Sequence, residues 1–186
     1  MCIADTGDVG DPAYVESLRR RFGPADTLVN NAAISRIGLL TETSPEEWDR
    51  IMRVNVTGVF NTCRTYVPDM VSAGGGQILN VSSVWGLAGA SCEVAYSASK
   101  GAVNAFTKAL AKELAPSHIR VNAIALGIVS TRMNSHLTEE ETAAIREQIP
   151  AGYIASPEEA AEAIYRLLEM PEYFNGGIVR FDGCWI

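Results

Sequence analysis

Tyr96 and Lys100 lie four residues apart in the sequence YSASK. On a helix this spacing places both side chains on one face, with their stems adjacent. A free tyrosine titrates at about pH 10, and a nearby ammonium group favours the phenolate. The pair therefore predicts a centre in which Lys100 lowers the pKa of Tyr96, so that the phenol exchanges a proton near neutral pH. An exposed helix can carry the same two residues without any chemistry, so the surroundings of the pair matter.

Ser83 is part of those surroundings. The apolar run 78–81 predicts a strand, and Ser83 follows at its carboxyl end. Open α/β sheets bind their ligands at that edge of the sheet. A loop of small residues then leads from Ser83 to Tyr96.

The elements that must position these residues alternate between short apolar runs and longer helical stretches. This alternation predicts an α/β fold in which a parallel sheet lies between helices on both faces. Helices are expected to start after Asp11, Ser44 and Ser156, because each residue can cap a helix and is followed by proline. The predicted strands are residues 27–30, 77–81, 120–126 and 178–181, and the predicted helices are 12–22, 45–73, 95–115 and one that opens at 157.

Residues 128–150 have a different character. They are polar and weakly periodic, and Leu137 and Ile145 are their few apolar anchors. Segments of this kind often close over a ligand site. We therefore predict a mobile segment over the substrate site.

Composition limits the classes of function. The chain of 186 residues fits one domain, and its formal net charge of -7 argues against nucleic acid and anionic membranes as partners. Neither a signal segment nor an apolar run long enough to span a membrane is found, so we expect a soluble cytoplasmic protein. The four cysteines are scattered and neither histidine has a ligand at helical spacing, so no metal site is predicted.

Four sequence signatures together resemble those of the short-chain dehydrogenase/reductase family. They are NNAA at 30–33, the interval from Ser83 to Tyr96, the Tyr-x-x-x-Lys pair and RVNAI at 120–124. The overall sequence is similar to the 3-oxoacyl-acyl-carrier-protein reductase branch. The resemblance implies a Rossmann-like three-layer αβα fold, with residues 1–186 as one partial domain. It also implies NAD(P)H-dependent reduction of a carbonyl or oxidation of an alcohol.

The resemblance implies a role for each catalytic residue. Tyr96 would be the general acid in reduction and the base in oxidation, and Ser83 would hydrogen-bond the reacting oxygen. Lys100 would lower the pKa of Tyr96 and hold the nicotinamide ribose. Asn55 would support a proton-relay water near the lysine, although by itself it could equally be an asparagine that kinks a helix.

The implied cofactor is NADP or NAD, with NADPH favoured. Besides Tyr96 and Lys100, the implied contacts are Asp8 and Val9 at the adenine, Asn31 and Ala32 at the adenosine ribose, and Val129 and Thr131 near the carboxamide. Three positions depart from the family pattern, since Ala33 and Cys184 replace glycines and Leu126 replaces a proline. The loss of the proline predicts a looser nicotinamide loop.

Two substrate classes remain open. The first is a small-molecule or carrier-bound carbonyl compound. The second follows from the segment VWGLAGASCE at 84–93, which resembles a loop of the bacterial elongation factor P 5-aminopentanone reductases, so that modified elongation factor P would be the partner. In that case Glu93 would attract a cationic amine, whereas otherwise it is a solvated loop residue. The family also implies that helices 45–73 and 95–115 pair between subunits, which predicts a homodimer or homotetramer.

The start of the sequence lacks one family feature. Family members open with a strand, a glycine-rich turn and a helix that hold the cofactor pyrophosphate. No such turn precedes Asp8, so the resemblance implies that the first two strand–helix units are missing. We then expect weak cofactor binding by this form, and either a gap in the sheet or pairing of segment 1–6 beside residues 27–30. A truncated, non-catalytic remnant that acts only as a binding or assembly partner is the alternative from another functional class.

Overall fold

Four parallel strands form the sheet of this protein, for which the computed structural model describes residues 2–186. The strands are β1 (Thr27–Asn30), β2 (Gly76–Ser83), β3 (Ile119–Leu126) and β4 (Ile178–Phe181). They lie side by side in chain order and each pair runs parallel. The carboxyl ends of all four strands therefore meet at one edge, and the predicted α/β class with a parallel sheet is confirmed.

Helices connect the strands. They are α1 (Pro12–Phe22), α2 (Pro45–Met52), α3 (Gly58–Ala73), α4 (Trp85–Ala88), α5 (Val94–Leu114), α6 (Glu139–Gln148) and α7 (Pro157–Leu168). At the three predicted starts, the side chains of Asp11, Ser44 and Ser156 accept hydrogen bonds from amides of the first turn. Each satisfies a backbone donor that the helix itself leaves free. Helix α5 agrees with its predicted bounds to within one residue at each end.

The segment predicted as one helix over residues 45–73 is interrupted. Helix α2 ends at Met52, a π-helical turn spans Arg53–Thr57, and α3 follows directly. The wider turn adds one residue to the helical repeat and brings Asn55 to a buried position with 1% of its surface exposed. Turns of this kind occur frequently at functional sites.

The core lies between the sheet and helices α3 and α5. Burial of these apolar side chains provides most of the driving force for folding. A chain of hydrogen bonds crosses the same region, because Asn30 of β1 donates to Asn80 of β2 and Asn80 donates to Thr107 of α5, each at 2.8 Å. The buried apolar cluster consists of Val59, Cys63, Met70, Ile78, Val103, Ala111, Leu114, Ile119 and Val121.

Residues 128–150 contain regular structure that the sequence interpretation did not include. A 3₁₀ turn spans Arg132–Asn134, and α6 begins after Thr138. The Thr138 side chain accepts a hydrogen bond from the amide of Glu141, and the Glu141 carboxylate accepts one from the amide of Thr138. This reciprocal cap explains why a helix forms in a polar segment.

Segment 2–7 does not take its predicted place, and Met1 lies outside the described residues. The segment forms no strand, and β1 to β4 make a continuous sheet, so both the expected gap and the expected pairing beside β1 are wrong. Asp5 instead forms an ion pair with Arg21 of α1. Gly7 packs so tightly on the Tyr14 ring that a Cβ atom would lie 2.1 Å from it. These contacts hold the segment against α1 and away from β1.

Candidate active site

Ser83 and Tyr96 lie in one cavity. Ser83 is the last residue of β2, and Tyr96 is in the first turn of α5. Both line a cavity of about 800 Å³. The volume suits a small organic molecule. The structure thus brings the two hydroxyl-bearing residues together, as the family resemblance implies.

Asn55 is connected to the same site through Ser99. Its side-chain amide donates to the Ser99 hydroxyl at 3.0 Å, and that hydroxyl donates to the Tyr96 carbonyl at 2.7 Å. Asn55 also bonds both backbone groups of Ile34, accepting at 2.8 Å and donating at 2.9 Å. The π-helical turn therefore joins the loop after β1 to the helix that bears Tyr96.

Lys100 is almost fully buried, with 3% of its surface exposed. Its Nζ atom donates to the Val81 carbonyl at 2.7 Å and lies 5.6 Å from the centroid of the Tyr96 ring. Burial opposes the charged ammonium and lowers the pKa of Lys100 to about 8.

Tyr96 departs from the expectation that Lys100 lowers its pKa. Burial opposes the phenolate and raises the pKa of Tyr96 to about 12, with the nearby Ser83 hydroxyl acting in the opposite direction and the Glu93 carboxylate adding to the rise. The physical reason is that the site excludes water, which destabilises the phenolate, while the Nζ atom of Lys100 donates to a backbone carbonyl. The phenol is therefore held in its protonated form at neutral pH.

Helix α4 holds Ser83 from the other side. The sequence interpretation placed only a loop of small residues here. The amide of Trp85 donates to the Ser83 hydroxyl at 3.1 Å, which orients that hydroxyl. Gly86 allows α4 to approach α5, because a Cβ atom at this position would lie 2.7 Å from the carbonyl carbon of Lys100. Asn104 adds a hydrogen bond to the Gly86 carbonyl at 3.0 Å.

Glu93 lies in the cavity wall, where its carboxylate accepts a hydrogen bond from Ser35 at 2.7 Å. The remaining walls come from the loop after β1, helices α4 and α6 and the carboxyl-terminal residues. The cavity-lining residues are Ser35, Ile37, Ser83, Val84, Trp85, Gly89, Ala90, Ser91, Glu93, Tyr96, Gly127, Ile128, Met133, Asn134, His136, Leu137, Ile145, Gln148 and Trp185.

Asp8 and Val9 form a turn that is fixed on the start of α3. The Asp8 carboxylate accepts a hydrogen bond from the Gly10 amide at 2.8 Å and pairs with Arg53 at 2.6 Å. The hydrogen bond from the Gly10 amide, and to a lesser extent the Arg53 guanidinium, hold the pKa of Asp8 below its usual range. Val9 packs against Gly58, where a Cβ atom would lie 2.7 Å from the valine side chain.

The other predicted cofactor residues lie beyond the carboxyl ends of two strands. Asn31 and Ala32 follow β1 and are exposed, whereas Val129 is buried and Thr131 exposed after β3. Together with Lys100, the Asn31 amide and the Thr131 hydroxyl offer the donors and acceptors that ribose hydroxyls and a carboxamide require. The donor set at this edge therefore fits the nicotinamide and ribose portions of a dinucleotide.

The family described as short chain dehydrogenase matches residues 5–142. The chain belongs to this family. The matched range includes Ser83, Tyr96 and Lys100.

Individual relatives are also similar to this dehydrogenase. An uncharacterized oxidoreductase, YmfI, from Bacillus subtilis is 42% identical over 163 residues, which are 87% of this chain and 67% of that protein. The 3-oxoacyl-[acyl-carrier-protein] reductase FabG of Thermotoga maritima is 41% identical over 91% of this chain and 69% of its own length. The structure of a gluconate 5-dehydrogenase from Burkholderia cenocepacia, in complex with NADP and tartrate, has a TM-score of 0.88 at 31% identity. That match covers 96% of this chain and 73% of the other. The dehydrogenase chain thus spans about two thirds of the length of its relatives.

Sequence reasoning missed several residues of this dehydrogenase site. Ser99 lies inside the YSASK motif, so its helical position was a usable signal. Trp185 and His136 gave no such signal, because each reaches the cavity only through the folding of a segment distant from Tyr96. None of the helices within residues 2–186 combines the length and apolarity needed to cross a membrane.

Proposed function

We propose that the protein to which this chain belongs is an NADPH-dependent carbonyl reductase of the 3-oxoacyl-acyl-carrier-protein reductase type. The proposal rests on one observation above all, the meeting of Ser83 and Tyr96 in one cavity, with the Nζ atom of the buried Lys100 5.6 Å from the centroid of the Tyr96 ring. The similarity to the Thermotoga maritima reductase supports the substrate class. The NADP in the Burkholderia cenocepacia dehydrogenase supports the cofactor.

Each side chain of the site has a separate role in the proposed reaction. When bound, the nicotinamide cofactor supplies the hydride to the carbonyl carbon. The Tyr96 phenol donates its proton to the carbonyl oxygen, and the Ser83 hydroxyl donates a hydrogen bond to the same oxygen. The phenol is protonated at neutral pH, so its proton is available for transfer in this direction. Lys100 holds the nicotinamide ribose, and Asn55 supports the proton relay behind it.

Replacing Tyr96 tests this mechanism. In Tyr96→Phe the proton donor is removed while the ring is kept, so kcat for a β-keto ester should fall by at least about 100-fold. NADPH affinity should change little. The enzyme is expressed with its full reading frame, and kcat and Kd are measured by absorbance and calorimetry.

Tyr173→Phe is the matched control, because Tyr173 is fully exposed after α7. Its kcat should equal that of the unaltered enzyme. Near-normal turnover in Tyr96→Phe would refute the assignment of Tyr96 as the acid.

A second candidate function is the reduction of 5-aminopentanone-modified elongation factor P. The observation that favours it is the Glu93 carboxylate in the wall of the cavity that holds Tyr96. A carboxylate at that place stabilises a cationic amine and does nothing comparable for an uncharged ketone.

Glu93→Gln separates the two substrates. For the aminoketone-bearing protein, KM should rise much more than for a simple β-keto ester, because only the former loses an ionic partner. Steady-state kinetics with both substrates provide the comparison. If KM changes equally for both substrates, or for neither, Glu93 is a solvated loop residue that does not bind the amine.

A further inference from the structure

Two tryptophans from distant parts of the chain meet in the wall of the cavity. Trp85 is the first residue of α4, and Trp185 is the penultimate residue of the chain. Their ring centroids are 4.9 Å apart and the rings are inclined by 57°. This is an ordinary geometry for a packed aromatic pair. Both rings line the cavity that contains Ser83 and Tyr96.

The carboxyl-terminal turn fixes Trp185 in this position. Gly183 and Cys184 both have left-handed backbones, with φ of 62° and 67°. Glycine adopts this conformation without strain, whereas cysteine does so at a cost. The Asp182 carboxylate accepts hydrogen bonds from the amides of Cys184 and Ile186 at 3.1 and 3.2 Å. The turn therefore directs the indole over the cavity.

Trp85 is fixed just as firmly with respect to the reacting groups. Trp85 follows Ser83 by two residues, and its backbone amide donates to the Ser83 hydroxyl. The start of α4 therefore lies beside the group that is proposed to bind the reacting oxygen. Ile128, Leu137 and Ile145 add further apolar surface to the same cavity. An apolar substituent on a carbonyl compound bound in this cavity therefore has the two indoles in the wall to contact.

We propose that Trp85 and Trp185 form an apolar wall that selects carbonyl substrates with an extended apolar substituent. This inference rests on the proposed reductase function and names the residues that set its substrate preference. An acyl chain removes more apolar surface from water against the two rings than a methyl group does. The wall therefore favours long-chain over short-chain β-keto esters.

Kinetics with two esters test this preference. Trp185→Ala and Trp85→Ala should each lower kcat/KM for ethyl 3-oxooctanoate about tenfold and leave kcat/KM for ethyl acetoacetate within about threefold. Trp185→Phe should retain most of the preference, because it keeps an aromatic ring. Trp48→Ala in α2, outside the cavity, is the control and should lower neither value selectively. Equal losses for both esters would overturn the proposal, since they would indicate a purely structural pair.

Tryptophan fluorescence provides a readout that does not depend on turnover. The chain has three tryptophans, so replacing two by phenylalanine leaves one reporter. Ethyl 3-oxooctanoate should quench the protein that retains Trp185 saturably, and it should not affect the one that retains Trp48. If Trp185 responds while no carbonyl substrate turns over, the wall stands and the proposed reductase function fails. If turnover is normal and ethyl 3-oxooctanoate does not change the fluorescence of Trp185, the apolar wall is refuted. It is refuted equally if only 5-amino-2-pentanone quenches that fluorescence.

Discussion

Tyr96 and Lys100 show burial acting in opposite directions on neighbouring groups. It raises the pKa of the phenol to about 12 and lowers the pKa of the ammonium group to about 8. Both pKa shifts favour the neutral form of the side chain, because a poorly solvated site destabilises a charged group more than a neutral one. At neutral pH the phenol therefore holds a proton ready for transfer, and Lys100 lies close to its titration point.

The buried Lys100 should make stability depend on pH. Its pKa is about 8 in the folded chain, compared with 10.5 for a free lysine, so the unfolded chain binds more protons between these values. The contribution of Lys100 to the free energy of unfolding should therefore rise with pH across this window, by up to about 1.4 kcal/mol per pH unit. Urea unfolding at pH 8 and pH 10, compared with Lys100→Met, isolates the contribution. A difference between the two proteins that is independent of pH would contradict the lowered pKa.

The sequence predicts the position of these residues better than their protonation. Helical spacing puts Tyr96 and Lys100 on one face, because that relation is local, and the family resemblance places Ser83 with them at the carboxyl end of a strand. The pKa of Tyr96 depends on how much water the packed structure excludes, which spacing does not reveal. Trp185 was missed for a related reason, since a turn at the far end of the chain brings it to the cavity.

At the scale of secondary structure, the π-helical turn is the element on which the site depends most. Asn55 at its centre bonds Ile34 and Ser99 and is buried. Asn55→Ala would leave partly buried backbone groups of Ile34 without these partners, so the free energy of unfolding should fall by about 1–3 kcal/mol. A urea denaturation curve gives this change, and kcat should fall with it.

Asn31→Ala serves as the control for Asn55, because Asn31 is exposed. Its urea midpoint should stay near that of the unaltered chain. An unchanged midpoint in Asn55→Ala would mean that the turn does not depend on these hydrogen bonds.

Element starts were more predictable than interruptions. Each of three predicted helix starts combines a capping side chain with a following proline, and α1, α2 and α7 begin there. The capping residues are Asp11, Ser44 and Ser156. No proline or glycine marks the break after Met52 in the sequence. The break depends instead on the hydrogen bond between the Asn55 side chain and the Ile34 amide in the loop after β1. The predicted looseness of the loop after Leu126 stays a prediction.

At the scale of the whole molecule, β1 is an edge strand. It pairs with β2 on one side, and among residues 2–186 no other strand lies beside it. Val29 remains 39% exposed on this strand. Free backbone groups at such an edge favour pairing with a further strand. β1 thus has one free edge, and segment 2–7 takes a different course from the one expected.

Helices α3 and α5 leave apolar side chains uncovered, and this leads to an expectation about assembly. Phe60 and Val71 of α3 and Val94 of α5 are 46%, 45% and 41% exposed. Exposed large apolar groups favour association, because pairing removes them from water. We expect a dimer or tetramer by light scattering of the protein expressed with its full reading frame, and Phe60→Glu should shift it toward the monomer. Phe22→Glu at the end of α1, where the ring is 44% exposed, should leave the mass unchanged. A monomer at all concentrations would show that these helix faces remain in solvent.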